Sequence, residues 1–163
     1  MVVTAGLVCL LDLNDGSLSV SGRSVKYVPT GSMDGHVTEY DIDSFPAKTL
    51  VTVKDADIGD VEIGDVVVFD NNGITTVHRC IGIGTDAQGN LYLTCRGDAN
   101  STLSTETVHA GDVEGIVVGT SHWMGVLVGF VKNSTILFVA VIIVLCVMAV
   151  TVKDMVVMMR NKE

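Results

Sequence analysis

The sequence Val66-Val67-Val68-Phe69-Asp70-Asn71-Asn72-Gly73-Ile74-Thr75-Thr76-Val77-His78 predicts a β-hairpin. Residues 66–69 form a continuous run of β-branched and aromatic side chains, which is typical of a buried strand. The next four residues favour a tight turn because Asn and Gly tolerate a positive φ angle. Residues 74–83 then form the predicted returning strand. This hairpin indicates a β-rich domain.

Further short strands are predicted on both sides of the hairpin. They cover residues 25–28, which end at Pro29, and residues 49–53, 91–95 and 113–118. Gln88-Gly89-Asn90 predicts a turn, and the polar stretch 14–24 predicts a loop. These short strands, separated by Gly, Asn and Asp turns and without a convincing helical period, predict a mainly β domain.

The C-terminal part of the chain predicts a transmembrane helix. Residues 133–152 are 20 consecutive uncharged residues, and as a helix they would extend ~30 Å, the thickness of the hydrocarbon core of a bilayer. Lys153, Arg160 and Lys162 follow the run, so the positive-inside rule predicts a cytoplasmic C-terminus and an extracytoplasmic domain. The predicted organisation is an N-terminal segment 1–24, a β-rich domain 25–132, a transmembrane helix 133–152 and a cytoplasmic tail 153–163.

The N-terminal segment does not explain how such a domain would be exported. Residues 1–13 are apolar but shorter than the ~20 residues needed to span a bilayer, and they lack the basic start of a secretory signal. We therefore expect an N-terminal anchor upstream of Met1, of which residues 1–24 are the remnant. The alternative is an unusual export route.

Charge and cysteine usage exclude two classes of function. The formal net charge of −9 argues against nucleic-acid binding, which requires clustered Lys and Arg. The four cysteines, Cys9, Cys80, Cys95 and Cys146, form no C-x-x-C pair, so no metal site is predicted. Cys80 and Cys95 fall where neighbouring strands would face each other, and either a disulfide or two free buried thiols is compatible with the pattern.

Two residues suit nucleophilic catalysis. Ser32 lies in Thr30-Gly31-Ser32-Met33, directly after a short apolar run. His78 lies within a predicted strand, where alternation places it on the same face as Thr76 and Cys80. A neutral imidazole can accept the proton of a serine hydroxyl near neutral pH, and the serine can then attack an acyl carbon. The alternative for His78 is a packed or surface residue of a strand.

Four motifs in order resemble those of type I signal peptidases. They are Ser32-Met33, Gly64-Asp65-Val66-Val67-Val68-Phe69, Val77-His78-Arg79 and Gly97-Asp98-Ala99-Asn100, followed by the C-terminal span. The resemblance is to the branch of the endoplasmic reticulum, archaea and spore-forming bacteria, in which histidine replaces the lysine base. It implies a signal-peptidase-like, membrane-bound serine endopeptidase that cleaves signal peptides from exported preproteins without a metal or other cofactor. The implied partners are these signal peptides, the lipid bilayer and the protein-export channel.

The resemblance also implies roles for individual residues. Ser32 is the expected nucleophile, His78 the general base and Asp98 a third catalytic residue. Thr30 is expected to support the oxyanion hole. An apolar groove that takes the substrate as an extended strand is expected along Tyr27, Val28 and Thr76.

The chain departs from the family pattern at two places. Asp34-Gly35 replaces the usual Glu-Pro, which predicts a looser turn after the nucleophile. Ser104 stands where many relatives carry the aspartate that orients the histidine, so this role falls to Asp98, to Glu106 or to no residue. Two other hypotheses remain from the sequence: a non-catalytic, membrane-tethered β domain that binds exported chains or partner subunits, and a surface adhesion module.

Overall fold

The computed structural model describes residues 18–20, 22–133 and 135–160. Most of the predicted N-terminal segment 1–24 lies outside the described residues, as does the end of the predicted cytoplasmic tail. Within the described residues the chain forms eight strands followed by two α-helices.

All eight strands belong to one antiparallel sheet, which confirms the prediction of a mainly β fold. Their order in the sheet is β1-β2-β3-β8-β4-β5-β6-β7. The strands are β1 Leu18–Val20, β2 Arg23–Val28, β3 Thr49–Lys54, β4 Val66–Asn71, β5 Ile74–Thr85, β6 Leu91–Arg96, β7 Glu106–His109 and β8 Val113–Ser121. The helices are α1 His122–Asn133 and α2 Thr135–Arg160.

The hairpin formed by β4 and β5 lies near the centre of the sheet. Its register runs from Asn71↔Ile74 to Val66↔Arg79, and Asn72 and Gly73 form the turn with φ angles of 56° and 84°. The apolar run of β4 is continuous because both faces of this strand are buried. Val66 and Val68 belong to one hydrophobic cluster, whereas Val67 and Phe69 belong to the other.

Two short strands were not predicted from the sequence. The predicted loop 14–24 is wrong at Leu18–Val20, which forms β1, and at the first residues of β2. Strand β7, Glu106–His109, lies in a segment that has no run of apolar residues. Both strands are three or four residues long, and each is paired to a longer neighbour, β1 to β2 and β7 to β6. Their extended conformation therefore depends on the sheet more than on local propensity.

The chain divides into two compact units, with the boundary between Val126 and Leu127. The first contains the sheet. In the second, the segment Val139–Met159 of α2 is long and apolar enough to cross a membrane: its mean hydropathy is 2.5, and none of it is buried. This segment overlaps the predicted span 133–152 and extends past Lys153 and Asp154.

Candidate active site

Ser32 lies in a tight turn that is anchored by its neighbour Met33. The N–H of Asp34 donates to the carbonyl oxygen of Gly31 at 3.0 Å, and the N–H of Phe45 donates to the carbonyl oxygen of Met33 at 2.9 Å. The side chain of Met33 is completely buried in the first hydrophobic cluster. Ser32 itself is half-buried, so its position is held by the residues on both sides of it.

Gly35, in the Asp34-Gly35 sequence, follows the turn that contains Ser32. Gly35 packs directly against the loop that contains Asp98: a Cβ atom at residue 35 would lie 2.7 Å from the carbonyl oxygen of Asp98. A side chain cannot be accommodated at that distance. Glycine at position 35 therefore allows a close contact between the serine turn and the loop 97–100.

The loop Gly97-Asp98-Ala99-Asn100 contacts both Ser32 and His78. The N–H of Ala99 donates to the carbonyl oxygen of Ser32 at 2.9 Å, and the N–H of Asn100 closes the loop on the carbonyl oxygen of Gly97 at 2.9 Å. A Cβ atom on Gly97 would lie 2.6 Å from the carbonyl oxygen of Ser32 and 3.0 Å from Nε2 of His78. The Ser32 main chain and the His78 imidazole therefore both lie next to Gly97.

His78 is held by contacts on two sides. It lies opposite Val67 in the hairpin, and its ring contacts the ring of Phe69 edge-on, with centroids 6.3 Å apart. Its Nδ1 atom lies 3.0 Å from Oε2 of Glu106, on β7. The imidazole is almost fully buried, and the Glu106 side chain is 25% exposed. With Nδ1 bonded to this carboxylate, Nε2 is the ring nitrogen on the side of Ser32 and Gly97.

Asp98 does not occupy the position expected for a carboxylate that acts on His78. Its Oδ1 accepts from Nε of Arg79 at 2.9 Å, and its Oδ2 accepts from Nη2 of Arg79 at 2.7 Å and from Oγ of Ser44 at 2.7 Å. The Arg79 and Asp98 side chains are 2% and 3% exposed. Of the alternatives left by the sequence, the residue in contact with His78 is Glu106, and Asp98 fastens its loop to β5.

Further contacts complete the environment of Arg79. Nη1 donates to the carbonyl oxygen of Gly64 at 2.8 Å, and the guanidinium lies over the ring of Tyr40, 5.2 Å from its centroid. A buried guanidinium requires such compensation for its charge and its donors. Consecutive residues of β5 thus have separate carboxylate partners, Glu106 for His78 and Asp98 for Arg79.

The expected substrate-binding residues line a single cleft together with Ser32 and His78. Its volume is about 530 Å³. Three strands separate β2 from β5 in the sheet, yet both contribute to the cleft, so the sheet curves around it. The predicted residues that line it are Tyr27, Val28, Thr30, Ser32, Thr76 and His78, and the others are Lys26, Pro29, Ile74, Thr75, Val77 and Asn100.

Asn100 also lines the cleft, although its place in the sequence motif did not predict a role for it. Its Nδ2 atom would lie 2.9 Å from a Cβ atom on Gly97, in the same region as the Ser32 carbonyl oxygen and His78 Nε2. An amide side chain there can donate a hydrogen bond into the cleft. The motif spacing alone could not show this, because Asn100 reaches the cleft only through the fold of the loop.

Charge at the rim of the cleft is largely neutralised. The Lys26 ammonium group is bonded to the carboxylate of Glu114 on β8, and Oγ1 of Thr75 donates to the same carboxylate at 3.4 Å. Among the described residues, no group of three or more His, Cys, Asp or Glu side chains could hold a metal ion. Groups at the cleft that can take part in chemistry include the Ser32 hydroxyl, the imidazole of His78 with its carboxylate partner, and the side-chain amide of Asn100.

Comparison with models of known protein families and with curated protein sequences gave no match. A functional assignment for this chain therefore depends on its own residues and their geometry. A serine beside an imidazole whose other nitrogen is bonded to a carboxylate is an arrangement that can carry out acyl transfer.

Proposed function

We propose that this protein is a membrane-bound serine endopeptidase that removes signal peptides from exported preproteins. The observation that carries the proposal is the arrangement around Gly97, where His78 Nε2 and the Ser32 main chain approach the same point while His78 Nδ1 is bonded to Glu106. The order of the sequence motifs indicates signal peptides as the substrate class, and the cleft can hold an extended peptide.

In the proposed reaction, His78 and Glu106 act as one unit. The Nδ1–H group donates to the Glu106 carboxylate, so Nε2 carries a lone pair and can accept the proton of the Ser32 hydroxyl. Ser32 Oγ then attacks the scissile carbonyl carbon, and the imidazolium is stabilised by the carboxylate 3.0 Å from Nδ1. His78 returns the proton to the leaving amine, and a water molecule hydrolyses the acyl-enzyme by the same route.

Donors for the developing oxyanion come from the two segments beside Ser32. The turn supplies the Ser32 N–H and the hydroxyl of Thr30, a residue that is exposed and lines the cleft. The loop 97–100 supplies the side-chain amide of Asn100, which lies close to Gly97. Fixed donors of this kind stabilise the tetrahedral intermediate because they need no reorganisation during the reaction.

The substrate is proposed to bind as a strand along β5. The main-chain N–H and C=O groups of Cys80 bond to Asp65 and Gly64, on the β4 side. Main-chain N–H and C=O groups alternate in direction from one residue to the next along a strand. The N–H and C=O groups of Thr75 and Val77 therefore point away from β4. Strand β6 pairs with β5 only from Arg79 onward, so residues Thr75–Val77 can receive a peptide by strand addition.

The proposed membrane location is supported by α2 and its flanking charges. Segment Val139–Met159 is the candidate span, and Arg160 and Lys162 follow it. We propose a single pass of the cell membrane by the chain as given, with the β domain extracytoplasmic and the C-terminus cytoplasmic. In this orientation the cleft faces the compartment into which preproteins emerge from the protein-export channel.

The proposal is tested by co-expressing the full chain with a tagged preprotein and measuring release of the mature form. Wild type is expected to process the preprotein, whereas Ser32→Ala and His78→Ala are expected to abolish processing because one lacks the nucleophile and the other the base. His36→Ala and Ser101→Ala are matched controls, since both residues are exposed.

Immunoblotting of membranes must show equal amounts of every variant. Equal processing by wild type and the two site variants would exclude the protease function. A result of that kind would favour the alternative of a non-catalytic domain that binds exported chains without cutting them.

A further inference from the structure

Cys80 and Cys95 form a buried pair that the proposed reaction does not use. They are directly opposed in the register of β5 and β6, and both side chains are 0% exposed. They belong to the hydrophobic cluster that also contains Phe69 and Leu93. Both thiols are free in the structure.

The main-chain hydrogen bonds make this a closely spaced pair. The N–H of Cys80 donates to the carbonyl oxygen of Asp65 at 2.8 Å, and its C=O accepts from the N–H of Gly64 at 2.8 Å. Both main-chain groups of Cys80 therefore point away from β6, so Cys80↔Cys95 is a non-hydrogen-bonded pair. In such pairs the Cα atoms are ~4.5 Å apart and the side chains approach most closely. This separation lies within the ~4.4–6.8 Å range that a disulfide spans.

The two side chains lie in one buried cluster and are directly opposed on β5 and β6. Their interaction is the main cause that lowers the pKa of Cys80 and raises that of Cys95. Sγ of Cys80 also lies 3.5 Å from the carbonyl oxygen of Gly82, beside the bulge in β5. The thiolate of either cysteine can begin thiol–disulfide exchange before the strands close.

We propose that Cys80 and Cys95 are a cross-strand disulfide site that closes when the chain folds in the presence of a disulfide oxidant. The thiolate of one of the two cysteines attacks one sulfur of the oxidant, a low-molecular-weight disulfide such as glutathione disulfide, and displaces one glutathione thiolate. The thiolate of the other cysteine then attacks the cysteine sulfur of the mixed disulfide and displaces the second glutathione thiolate. The two cysteines lose two electrons, the oxidant gains them, and the two thiol protons pass to the released glutathione.

The cross-link would lie close to two structural elements that contribute to the cleft, strand β5 and the loop 97–100. Cys80 lies two residues after His78 on β5, and Cys95 lies two residues before Gly97 on β6. A bond between them would covalently join the strand that carries the imidazole to the strand that leads into the loop 97–100. Because both sulfurs are buried in the folded domain, the reaction takes place during folding, before β5 and β6 close. The inference is independent of the proposed peptidase function.

The experiment uses the full chain in detergent, reduced and unfolded, then refolded with or without a glutathione redox buffer. Free thiols are alkylated with iodoacetamide in denaturant, and peptides are identified by mass before and after reduction. Refolding with the oxidant is expected to leave Cys80 and Cys95 unlabelled and joined to each other, with Cys9 and Cys146 labelled. The bond closes a loop of about 15 residues, so the midpoint of thermal unfolding should rise by about 10 °C.

Two variants serve as controls. The Cys9→Ala/Cys146→Ala variant should keep the full shift in midpoint, and Cys95→Ala should lose it because Cys80 has no partner left. The thiol measurement on wild type requires no variant to fold. Full alkylation of Cys80 and Cys95 after refolding with oxidant, or pairing of either with Cys9 or Cys146, would overturn the proposal.

Discussion

The buried pair formed by Arg79 and Asp98 provides a direct test of how the candidate site is held together. Asp98→Asn keeps the shape of the side chain but removes its charge. The guanidinium of Arg79, 2% exposed, would then be a buried cation with no carboxylate partner. Breaking a buried ion pair from one side costs about 3–5 kcal/mol. Since domains are stable by only about 5–15 kcal/mol, the loss would be a large fraction of the total.

The expected result is a decrease of roughly 10–15 °C in the midpoint of thermal unfolding. It would be measured by circular dichroism on the full chain in detergent. Asp43→Asn is the matched control, because Asp43 is exposed and its substitution should change the stability by less than about 0.5 kcal/mol. Replacing both partners, as in Arg79→Met/Asp98→Leu, should recover much of the loss because no unpaired charge remains.

Two outcomes would refute this reasoning. A midpoint for Asp98→Asn equal to that of wild type would show that the pair does not contribute to stability. Loss of preprotein processing at a temperature where Asp98→Asn is fully folded and bound to substrate normally would return Asp98 to a direct catalytic role, as first expected from the sequence.

Three further substitutions test the proposed chemistry by rates of preprotein processing in detergent. Gly97→Ala should reduce the rate by ~100-fold, because the new Cβ atom would lie 2.6 Å from the carbonyl oxygen of Ser32 and would displace the reacting groups. Gly111→Ala, with no atom within 4 Å of the new Cβ, should have the wild-type rate. Glu106→Gln should lower kcat by up to ~10⁴-fold with little change in KM, since His78 loses its carboxylate. An unchanged kcat would remove Glu106 from the mechanism. Thr30→Val should lower kcat by ~100- to 1000-fold if its hydroxyl stabilises the oxyanion, and a wild-type rate would show that it does not.

Replacing Glu106 and replacing Asp98 should have different effects, although the two carboxylates bond to neighbouring residues of β5. The Glu106 side chain is partly exposed and its carboxylate bonds to the imidazole of His78, whereas the Asp98 side chain is buried and makes three hydrogen bonds. Removal of Glu106 should therefore affect the reaction more than the fold. Removal of Asp98 should affect the fold first, and the reaction through it.

The amino-acid sequence by itself was sufficient for the elements whose local signals are strong. The apolar run of β4 and the Asn72-Gly73 turn predict the central hairpin, because side-chain burial and positive φ angles are local properties. The apolar C-terminal helix follows from length and composition in the same way. The motif order also named Ser32 and His78, which line one cleft in the structure.

Only the tertiary structure decided which carboxylate bonds to His78 and which bonds to Arg79. Asp98 and Glu106 are both downstream of His78 and Arg79, and nothing in their spacing tells which pairs are formed. The pairing depends on the order of β5, β6 and β7 in the sheet and on the close packing at Gly35 and Gly97. Short strands such as β7 also become extended only when a neighbour supplies their hydrogen bonds. Contacts of this kind are non-local, so sequence patterns over a few residues could not determine them.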